Sequence, residues 1–415
     1  MHSGSQQPPV PLRHARLASS SHTDTRSMKP RVVFLSFATL KVGGIERQLL
    51  QLVEHLRERY SFHVAGVIAE EFARAVRSTD AAIALHPMAR VSKFNLIAVH
   101  RLQRLFRQIG AGLVHTVEPR SRLLGHLAAR RAGIPAVHTF HMSALSYDDL
   151  SPLRQRFYQR IEAVYNQHLS DRLIFVSHHD YGRYAEQGLL RPDNATVIHN
   201  AIDPSPFTAA RRERARLRRT VRAELGIPEE AVLSCTVGRL SVQKGIDYLL
   251  QALHQVASRS PDTPDLFATI VGDGEERERL AEQARALGIT ERVRFLGARP
   301  LPDVVRILTA SDLFVLPSRF ECFPYSILEA LAAGLPCVVS DVGGNRESVE
   351  HGYNGFVLPR GDVPALASAL ERLTRDADLR ATFGRHALEK IQAFSVDHMI
   401  RETEAVYRSV LQTHP

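Results

Sequence analysis

The stretch VLSCTVGRLSVQKGIDYLLQAL, residues 232–253, decides the fold of the second half of the chain. Its first six residues form a mostly apolar and β-branched run, which is typical of a strand buried on both faces of a parallel sheet. Gly238 follows the run, Lys244 and Gly245 come next, and apolar residues then recur at helical spacing from Ile246. The stretch therefore predicts a strand, a glycine-bearing turn and a helix, in that order.

The same alternation of short strands and longer helices extends over most of the chain. Continuous apolar strands separated by helices indicate parallel sheets that are covered on both faces. The predicted strands are 32–36, 63–68, 113–116, 136–140, 172–176, 196–199, 232–237, 266–271, 293–296, 313–316 and 337–340. The predicted helices between the earlier strands are 45–59, 96–109, 122–132 and 153–169.

A break at Asp203-Pro204-Ser205-Pro206 separates two runs of this pattern, because residues before proline are pushed out of helical geometry. At 415 residues the chain is also too long for one ordinary core. We predict two doubly wound α/β domains of the Rossmann-like kind, residues 30–202 and 203–394. Ligands bind such sheets at the carboxyl ends of the strands.

Composition limits the class of protein. Hydrophobic residues make up 44% of the chain and charged residues 23%, as in ordinary globular proteins. No uninterrupted apolar run is long enough to span a bilayer, so we expect no membrane-spanning helix. Residues 1–29 are predicted to be a disordered tail, since they lack the apolar run of a secretory signal, and Met28 is an alternative start. Three cysteines without metal-ligand spacing suit a reducing compartment, and we expect the cytoplasm.

The formal net charge of +9 favours an anionic partner: nucleic acid, an acidic membrane surface or a phosphorylated substrate. The arginines between Arg211 and Arg222 are more simply explained as a solvated helix face than as a nucleic-acid arm. Residues 93–107 form an amphipathic basic pattern, which either packs on its own sheet, the favoured interpretation, or lies on anionic lipid.

Arg239 and Lys244 stand five residues apart across the turn after strand 232–237. Gly238 lets the backbone approach a ligand, two cations neutralise phosphates, and a helix N-terminus adds its dipole. We therefore predict a diphosphate site in this turn. The alternative is two surface cations beside an ordinary turn, and the spacing does not match a Walker motif.

Glu321 and Glu329 follow strand 313–316, with seven residues between them. We place Glu321 in the loop and Glu329 in a helix that begins at about Pro324, because proline is favoured in a first helical turn. Carboxylates accept hydrogen bonds from sugar hydroxyls. A general acid and base pair is the competing functional interpretation. The structural interpretation is that Glu329 only caps its helix or lies in solvent.

Three further positions lie at predicted strand ends. Gly43 and Gly44 precede the helix at Ile45, so the backbone there can approach a phosphate or a sugar across a cleft. Gly272 ends strand 266–271 and either shapes a ligand pocket or forms a plain turn. His141 ends strand 136–140 and is a candidate polar contact in the same cleft, against the alternative of a structural histidine.

Taken together, these motifs resemble glycosyltransferase family 4, a retaining group with the two-domain GT-B architecture. The resemblance rests on Gly-Arg-Leu and Lys-Gly within residues 238–245, on the glutamate pair, and on Ser-Asp-Val-Gly-Gly at 340–344. It covers the chain from about Arg31 to its C-terminus. Residues 200–203 resemble the family's Asn-Gly-Ile-Asp hinge, with Ala201 in place of glycine.

The resemblance implies a role for each candidate residue. Arg239 and Lys244 would hold the diphosphate of a nucleotide-sugar donor, Glu329 its ribose and Glu321 the hydroxyls of its sugar. Backbone amides around Phe323 and Pro324 would touch the sugar or the phosphate. The Gly43-Gly44 loop would reach the donor from the other domain, with His141 near the transferred sugar, and the last helix, 395–415, would pack back on the N-terminal domain.

The implied activity is that of a hexosyltransferase, which moves a sugar from a UDP- or GDP-sugar to a glycan or lipid-linked acceptor. We expect it to need neither a metal ion nor another cofactor. The leaving diphosphate would help to deprotonate the acceptor. A sugar-nucleotide epimerase or a phosphorylase of the same fold remains the alternative, although we identify no pyridoxal lysine. A nucleic-acid-binding protein is the remote one, because that function leaves the paired glutamates unexplained.

Overall fold

The computed structural model describes residues 29–40, 43–77, 83–89, 95–141, 151–191, 193–259 and 265–414. The predicted tail, except for Lys29, lies outside these residues. Two parallel sheets organise the described chain, one on each side of the proline-bearing break. The α/β class and the doubly wound, Rossmann-like layout predicted from the sequence are therefore correct.

The first sheet consists of seven strands. They are β1 (Arg31–Leu40), β2 (Ser61–Ile68), β3 (Ile83–Pro87), β4 (Leu113–Thr116), β5 (Ala136–Phe140), β6 (Arg172–Phe175) and β7 (Ala195–Val197). Their order is β3-β2-β1-β4-β5-β6-β7, so the direction of winding reverses between β1 and β4. The helices are α1 (Gly44–Leu56), α2 (Glu70–Arg77), α3 (Leu96–Ile109), α4 (Pro119–Ala132), α5 (Pro152–Val164), which continues as a π-helical turn to Leu169, and α6 (His178–Glu186).

The second sheet consists of six strands. They are β8 (Val232–Val237), β9 (Leu266–Val271), β10 (Val293–Gly297), β11 (Leu313–Leu316), β12 (Cys337–Ser340) and β13 (Gly355–Leu358). Their order is β10-β9-β8-β11-β12-β13, with the reversal between β8 and β11. The helices are α7 (Ser205–Arg212), α8 (Arg214–Leu225), α9 (Ile246–Arg259), α10 (Arg277–Ala286), α11 (Leu301–Ala310), α12 (Tyr325–Ala332), α13 (Asn345–Ser348), α14 (Val363–Arg375), α15 (Ala377–Lys390) and α16 (Val396–Thr413).

Strand β1 shows why a continuous apolar run suits this fold. Side chains alternate between the faces of a strand, so Val32 and Phe34 join one core cluster while Val33 and Leu35 join another. All four are fully buried. Burial of each such side chain stabilises the fold by about 1.5 to 3 kcal/mol, so helices on both faces are needed to keep the strand dry.

The chain crosses between the two sheets twice, and the two crossings lie side by side. Ile202, in the first crossing, forms a parallel β-bridge with Ser395, in the second. After the second crossing, α16 packs against the first sheet, and the Tyr407 ring lies in the core cluster of β1 and β4. The Tyr407 hydroxyl lies 2.6 Å from Nδ1 of His115 in β4. The last helix is therefore part of the N-terminal domain's core.

The arginine-rich segment of α7 and α8 is a solvated face only in part, since Arg212, Arg216 and Arg219 are exposed and the other arginines are packed. Arg222 is fully buried and donates to Asp312 at 2.6 Å and to the carbonyl of Ala231 at 2.7 Å. Arg214 donates to the carbonyl of Ser311, and Arg218 also pairs with Asp312. Long arginine stems cover apolar surface while their heads bind fixed oxygens, so a charge run can form a packed face.

Helix α3 packs on its own sheet, as the favoured interpretation of the sequence requires. Val99, Leu102 and Phe106 lie in the core cluster behind β1 and β4. Ile97 is exposed, whereas Lys93 lies outside the described residues. Within the described part of the chain, no helix combines the length and hydropathy needed to cross a bilayer.

The sequence pattern missed two strands, β3 and β13. β3 (Ile83–Pro87) is an edge strand whose side chains are only partly buried, so it carries no continuous apolar run. β13 (Gly355–Leu358) has four residues, and its first is a glycine, which weakens any strand pattern. Both lie at sheet edges, away from the points where the winding reverses.

Candidate active site

A buried ion pair occupies the reversal point of the second sheet. Lys244 comes from the loop after β8, and Glu321 from the loop after β11, so neighbouring strands bring them together. The Lys244 ammonium donates to Oε1 of Glu321 at 2.6 Å, and the Ser318 hydroxyl donates to the same oxygen at 2.7 Å. The side chains are 15% and 6% exposed. This site faces the crevice where doubly wound sheets bind ligands.

The glycines at this edge allow the loops to approach closely. Gly272 has φ +138°, and a Cβ at this position would lie 1.8 Å from the carbonyl oxygen of Gly238. A side chain is therefore excluded by the backbone of the neighbouring loop. The Lys244 side chain lies against Gly238, with its Cε 3.2 Å from the position of a Cβ there. The absence of a side chain at Gly238 thus leaves room for the Lys244 side chain to reach Glu321. The close approach of the Gly238 backbone explains why position 272 is a glycine.

Arg239 takes a different direction from Lys244. Its side chain is 72% exposed and pairs with Glu275, with 2.9 Å between Nη2 and Oε2. None of its contacts among the described residues joins it to the Lys244–Glu321 pair. The predicted pairing of Arg239 with Lys244 around one diphosphate therefore requires the exposed Arg239 side chain to swing inward, and its role stays a prediction.

Glu329 lies inside α12, as predicted, and its carboxylate faces the other domain. It forms an ion pair with Arg47 of α1, 282 residues earlier in the chain. Glu329 is 3% exposed and Arg47 30%. Burial raises the pKa of Glu329, and the charge and hydrogen bond of Arg47 oppose that shift. The carboxylate neither caps its helix nor reaches solvent, so the structural interpretation of Glu329 was wrong.

The Gly43-Gly44 loop is packed against the start of α12. A Cβ at Gly44 would lie 3.0 Å from Cδ2 of the Tyr325 ring, tighter than normal contact. The two domains therefore meet where the first turn of α1 faces the first turn of α12. The Tyr325 hydroxyl is buried there without a hydrogen-bond partner among the described residues.

Phe323 and Pro324 lie at the same junction, directly before α12. Pro324 occupies the N-cap position of α12, and the helix begins at Tyr325. Because proline has no N–H, Pro324 itself cannot donate to a ligand, so the expected contact depends on the neighbouring amides and stays a prediction. The carbonyl of Phe323 accepts from Nδ2 of Asn200 at 2.7 Å, which ties the hinge segment to the loop before α12.

His141 follows β5 at the cleft side of the first sheet. Its Nε2 lies 2.8 Å from Oε1 of Gln48, which belongs to α1, one residue after Arg47. Burial lowers the pKa of the His141 imidazole to about 4, so the ring is neutral at physiological pH. His141 is thus placed beside the helix that carries Arg47. Its neutral ring has one nitrogen that donates and one that accepts a hydrogen bond.

A second cross-domain contact centres on Glu347 of α13. Its carboxylate accepts from the backbone N–H groups of His178 and His179, each at 2.9 Å, at the start of α6. His199 adds a contact of 2.7 Å. Burial raises the pKa of Glu347, but these hydrogen bonds outweigh it and the pKa is lowered. Nitrogens of His178 and His199 and an oxygen of Glu347 lie within 4.8 Å of one another, a potential ligand set, but helix capping already explains the carboxylate.

The chain contains an Asp-X-Asp triplet, Asp376-Ala377-Asp378, which is the spacing that metal-dependent transferases use. Asp376 is the N-cap of α15 and accepts from the N–H of Leu379 at 2.8 Å. The triplet therefore has a structural role at a helix start, and it lies outside the cleft residues described above.

Comparisons with known proteins agree with this geometry. The family model "Glycosyltransferase Family 4" matches residues 42–206, and the model "Glycosyl transferases group 1" matches residues 218–390. The chain belongs to glycosyltransferase family 4. The two matches together cover most of both domains.

Two relatives illustrate the similarity in sequence. A D-inositol 3-phosphate glycosyltransferase of Salinispora tropica is 32% identical over 73% of this chain and 64% of its own length. The UDP-Gal:alpha-D-GlcNAc-diphosphoundecaprenol alpha-1,3-galactosyltransferase of Escherichia coli is 30% identical over 74% of this chain and 77% of its own length. The chain thus spans slightly less than two thirds of the Salinispora relative.

Two solved structures illustrate the similarity in fold. Anabaena HepE, in complex with UDP-glucose, matches with a TM-score of 0.78 and 24% identity over 91% of this chain and 99% of HepE. WaaG, a glycosyltransferase of lipopolysaccharide biosynthesis, matches with a TM-score of 0.70 and 19% identity over 90% of this chain and 98% of WaaG. The family 4 chain therefore has the GT-B fold that was expected.

Sequence reasoning missed three residues of the site: Arg47, Ser318 and Tyr325. Arg47 follows the glycine pair by three residues, so its place in the first turn of a helix at a strand end was a usable signal. Ser318 lies three residues before Glu321, within reach of its carboxylate. Its contact depends on a loop conformation that no pattern in the sequence specifies.

Proposed function

We propose that the chain is a retaining hexosyltransferase that moves a sugar from a UDP- or GDP-sugar to a hydroxyl of a glycan or lipid-linked acceptor, in cell-surface polysaccharide or glycolipid synthesis. The proposal rests on one observation: the Arg47–Glu329 pair joins the two domains, and the Lys244–Glu321 pair lies at the reversal point of the second sheet. A buried carboxylate beside a buried cation suits a ligand with hydroxyls and phosphates. The names of the Escherichia coli relative and of the HepE complex, both of which contain UDP, favour the uracil nucleotide.

The donor binds mainly to the second domain in this proposal. Lys244 and Arg239 hold the diphosphate, the Glu321 carboxylate accepts from the sugar hydroxyls, and Glu329 accepts from the ribose. Lys244 and Arg239 lie in the loop after β8, Glu321 lies in the loop after β11, and Glu329 lies in α12, which follows that loop. Sheets of this kind bind ligands at this edge. Arg239 reaches the diphosphate by leaving Glu275, a contact between exposed side chains that contributes little to stability.

The proposed chemistry depends on stabilising the leaving group. Negative charge develops on the diphosphate as the bond to the sugar breaks, and Lys244 lowers the energy of that charge in a water-poor cleft. The leaving phosphate takes the proton of the acceptor hydroxyl on the same face of the sugar, so the configuration is retained. The neutral His141 ring holds the sugar or the acceptor by a hydrogen bond. We propose that neither a metal ion nor another cofactor takes part.

The acceptor side of the proposal concerns the first domain. The name of the Escherichia coli relative specifies a diphosphoundecaprenol acceptor. In this chain Ile97 of α3 and Leu153 of α5 are exposed large apolar residues, and exposed arginines such as Arg101 and Arg104 lie on α3. Apolar side chains among arginines suit an anionic lipid surface. We therefore propose a cytoplasmic protein in peripheral contact with the inner face of the membrane, with no nucleic-acid partner.

A thermal-shift screen against UDP-, GDP- and ADP-sugars tests the donor. A ligand at one hundred times its dissociation constant stabilises the fold by about 2.7 kcal/mol, which is easily measured. The Lys244→Ala variant should show no such shift, whereas a variant of an exposed arginine far from the cleft, Arg285→Ala, should match the wild type. No shift with any nucleotide sugar, or an equal shift in Lys244→Ala, would refute the donor site.

Product analysis separates transfer from epimerisation. Incubation of the donor without acceptor should leave its sugar unchanged, and addition of a lipid-linked saccharide should release free nucleoside diphosphate and form an α-linked product from an α-linked donor. Conversion of the donor sugar without any acceptor would favour the epimerase. Products with inverted configuration would refute retention.

A further inference from the structure

Arg47 has an unusual position for a residue of the first domain. It lies in the first turn of α1, three residues after Gly44, yet its guanidinium binds Glu329 of the other domain. Glu329 is buried and Arg47 supplies its counter-charge, because burial raises the pKa of the carboxyl and Arg47 opposes the shift. The pair therefore links the first turn of α1 to α12 across the two domains.

The ribose of a donor would compete with Arg47 for this carboxylate, if the proposed function is correct. Guanidinium N–H groups and ribose O–H groups are both hydrogen-bond donors, and both need the lone pairs of the same two oxygens. Arg47 contacts Oε1 of Glu329, so a ribose whose two hydroxyls take both carboxylate oxygens displaces the guanidinium at least in part. Replacement of a cation by neutral hydroxyls leaves the positive charge of Arg47 without its partner.

The other charged side chains of the cleft indicate which group the Arg47 guanidinium would bind after it leaves Glu329. Lys244 is already paired with Glu321, and Arg239 points to solvent with Glu275. Arg47 is partly exposed, so its side chain has room to move. The diphosphate is bonded directly to the ribose, so it enters the cleft within the reach of an arginine that has just left the ribose-binding carboxylate. Arginine binds phosphate oxygens in the same forked geometry that it uses for carboxylates.

We propose that Arg47 is a diphosphate-binding residue that rests on Glu329 in the empty enzyme and is transferred to the phosphates when the ribose takes its place. Recognition of the nucleoside thus delivers a further positive charge to the leaving group. The buried, unpartnered Tyr325 hydroxyl at the same junction is a hydrogen-bonding group available to the incoming ligand. The first domain then supplies a side chain, and not only a glycine-rich backbone, to the donor site.

Two ligands of the full-length protein separate this role from a structural one. Calorimetric titration would use UDP and uridine, or GDP and guanosine if the screen selects the guanine nucleotide. The Arg47→Gln variant should bind UDP about 10- to 100-fold more weakly, since it loses charge-assisted bonds to phosphate. Uridine, which carries no phosphate and competes with Arg47 for Glu329, should bind the variant at least as tightly as it binds the wild type.

Two further variants complete the experiment. Arg47→Lys keeps the charge and should recover part of the UDP affinity, and Arg57→Gln, an exposed arginine at the end of the same helix, should behave as the wild type. Equal losses for UDP and uridine in Arg47→Gln would overturn the proposal, since they indicate that Arg47 only positions Glu329. An unchanged UDP affinity would also overturn it. Absence of UDP and GDP binding by the wild type would instead refute the proposed function, and this inference with it.

Discussion

Acidification from pH 8 to pH 5 should destabilise the first domain selectively, because that domain buries neutral histidines. His115 contacts Thr139 and Tyr407, and His126 contacts Thr116 and Ser170, all through side-chain atoms 2.6 to 2.9 Å apart. Burial lowers the pKa of His115 and of His126 to about 3, against an ordinary value of 6.5. The folded domain keeps both rings neutral where the unfolded chain would protonate them.

The magnitude follows from these pKa values. Below pH 6.5 these histidines are protonated in the unfolded chain but stay neutral in the folded domain. The free energy of unfolding therefore falls as the pH drops, until the folded histidines are also protonated near pH 3. Each histidine costs about 1.4 kcal/mol per pH unit within this range, or about 2 kcal/mol at pH 5. With His141, whose pKa is about 4, the three together remove about 6 kcal/mol. Typical domains have only about 5 to 15 kcal/mol of stability, so the first domain should be close to unfolding at pH 5.

Hydrogen exchange with mass spectrometry measures this effect domain by domain. The protein is equilibrated in urea at pH 8 or pH 5 and then labelled in a short pulse at one common pH, so that intrinsic exchange rates do not differ. Peptides from β4 and β5 should lose protection at much lower urea concentration at pH 5, while β8 and β9 serve as the internal control. An equal shift in both domains, or no shift in the first, would refute the reasoning from the buried rings.

Three other predictions concern single side chains. Lys244→Met should leave the Glu321 carboxylate buried without its cation, which should cost about 3 kcal/mol in thermal unfolding and lower kcat about 100-fold or more if the donor site is correct; donor turnover and calorimetry would check both. Gly44→Ala should lower kcat without lowering the melting temperature, because its Cβ would press on the Tyr325 ring where the domains meet; steady-state kinetics with a melting curve would test it. Asp312→Asn should destabilise the second domain by about 3 to 5 kcal/mol, since the carboxylate binds two arginines of α8, with little change in activity per folded molecule; denaturant unfolding and active-site titration would test this.

The sequence was sufficient for those parts of the site that follow directly from strand ends. Glu321 and Lys244 come from loops after β11 and β8, and parallel strands that neighbour one another present their carboxyl ends at one edge. A continuous apolar run marks where each strand stops, so the loop residues are identified as well. The edge strand β3 was missed because a partly buried strand lacks that run, and β13 because it has only four residues and begins with a glycine.

Contacts between distant segments could not be predicted in the same way. Arg47 and Glu329 are 282 residues apart, and nothing in either motif specifies that the two domains place them together. The arginines of α8 have the composition of a solvated face, yet Asp312, 90 residues away from Arg222, fixes two of them in the packed surface. Such pairs depend on tertiary geometry, whereas the turns that carry the chemistry are local.

The return of α16 to the first sheet has a consequence for biosynthesis. A ribosome releases residues 29–202 long before Tyr407 and Met399 are made, yet both residues fill the core of that domain. The nascent first domain therefore waits with an open apolar face while the entire second domain is translated. We therefore expect folding of the chain to depend on chaperones during synthesis. An isolated N-terminal fragment that lacks α16 should aggregate in solution.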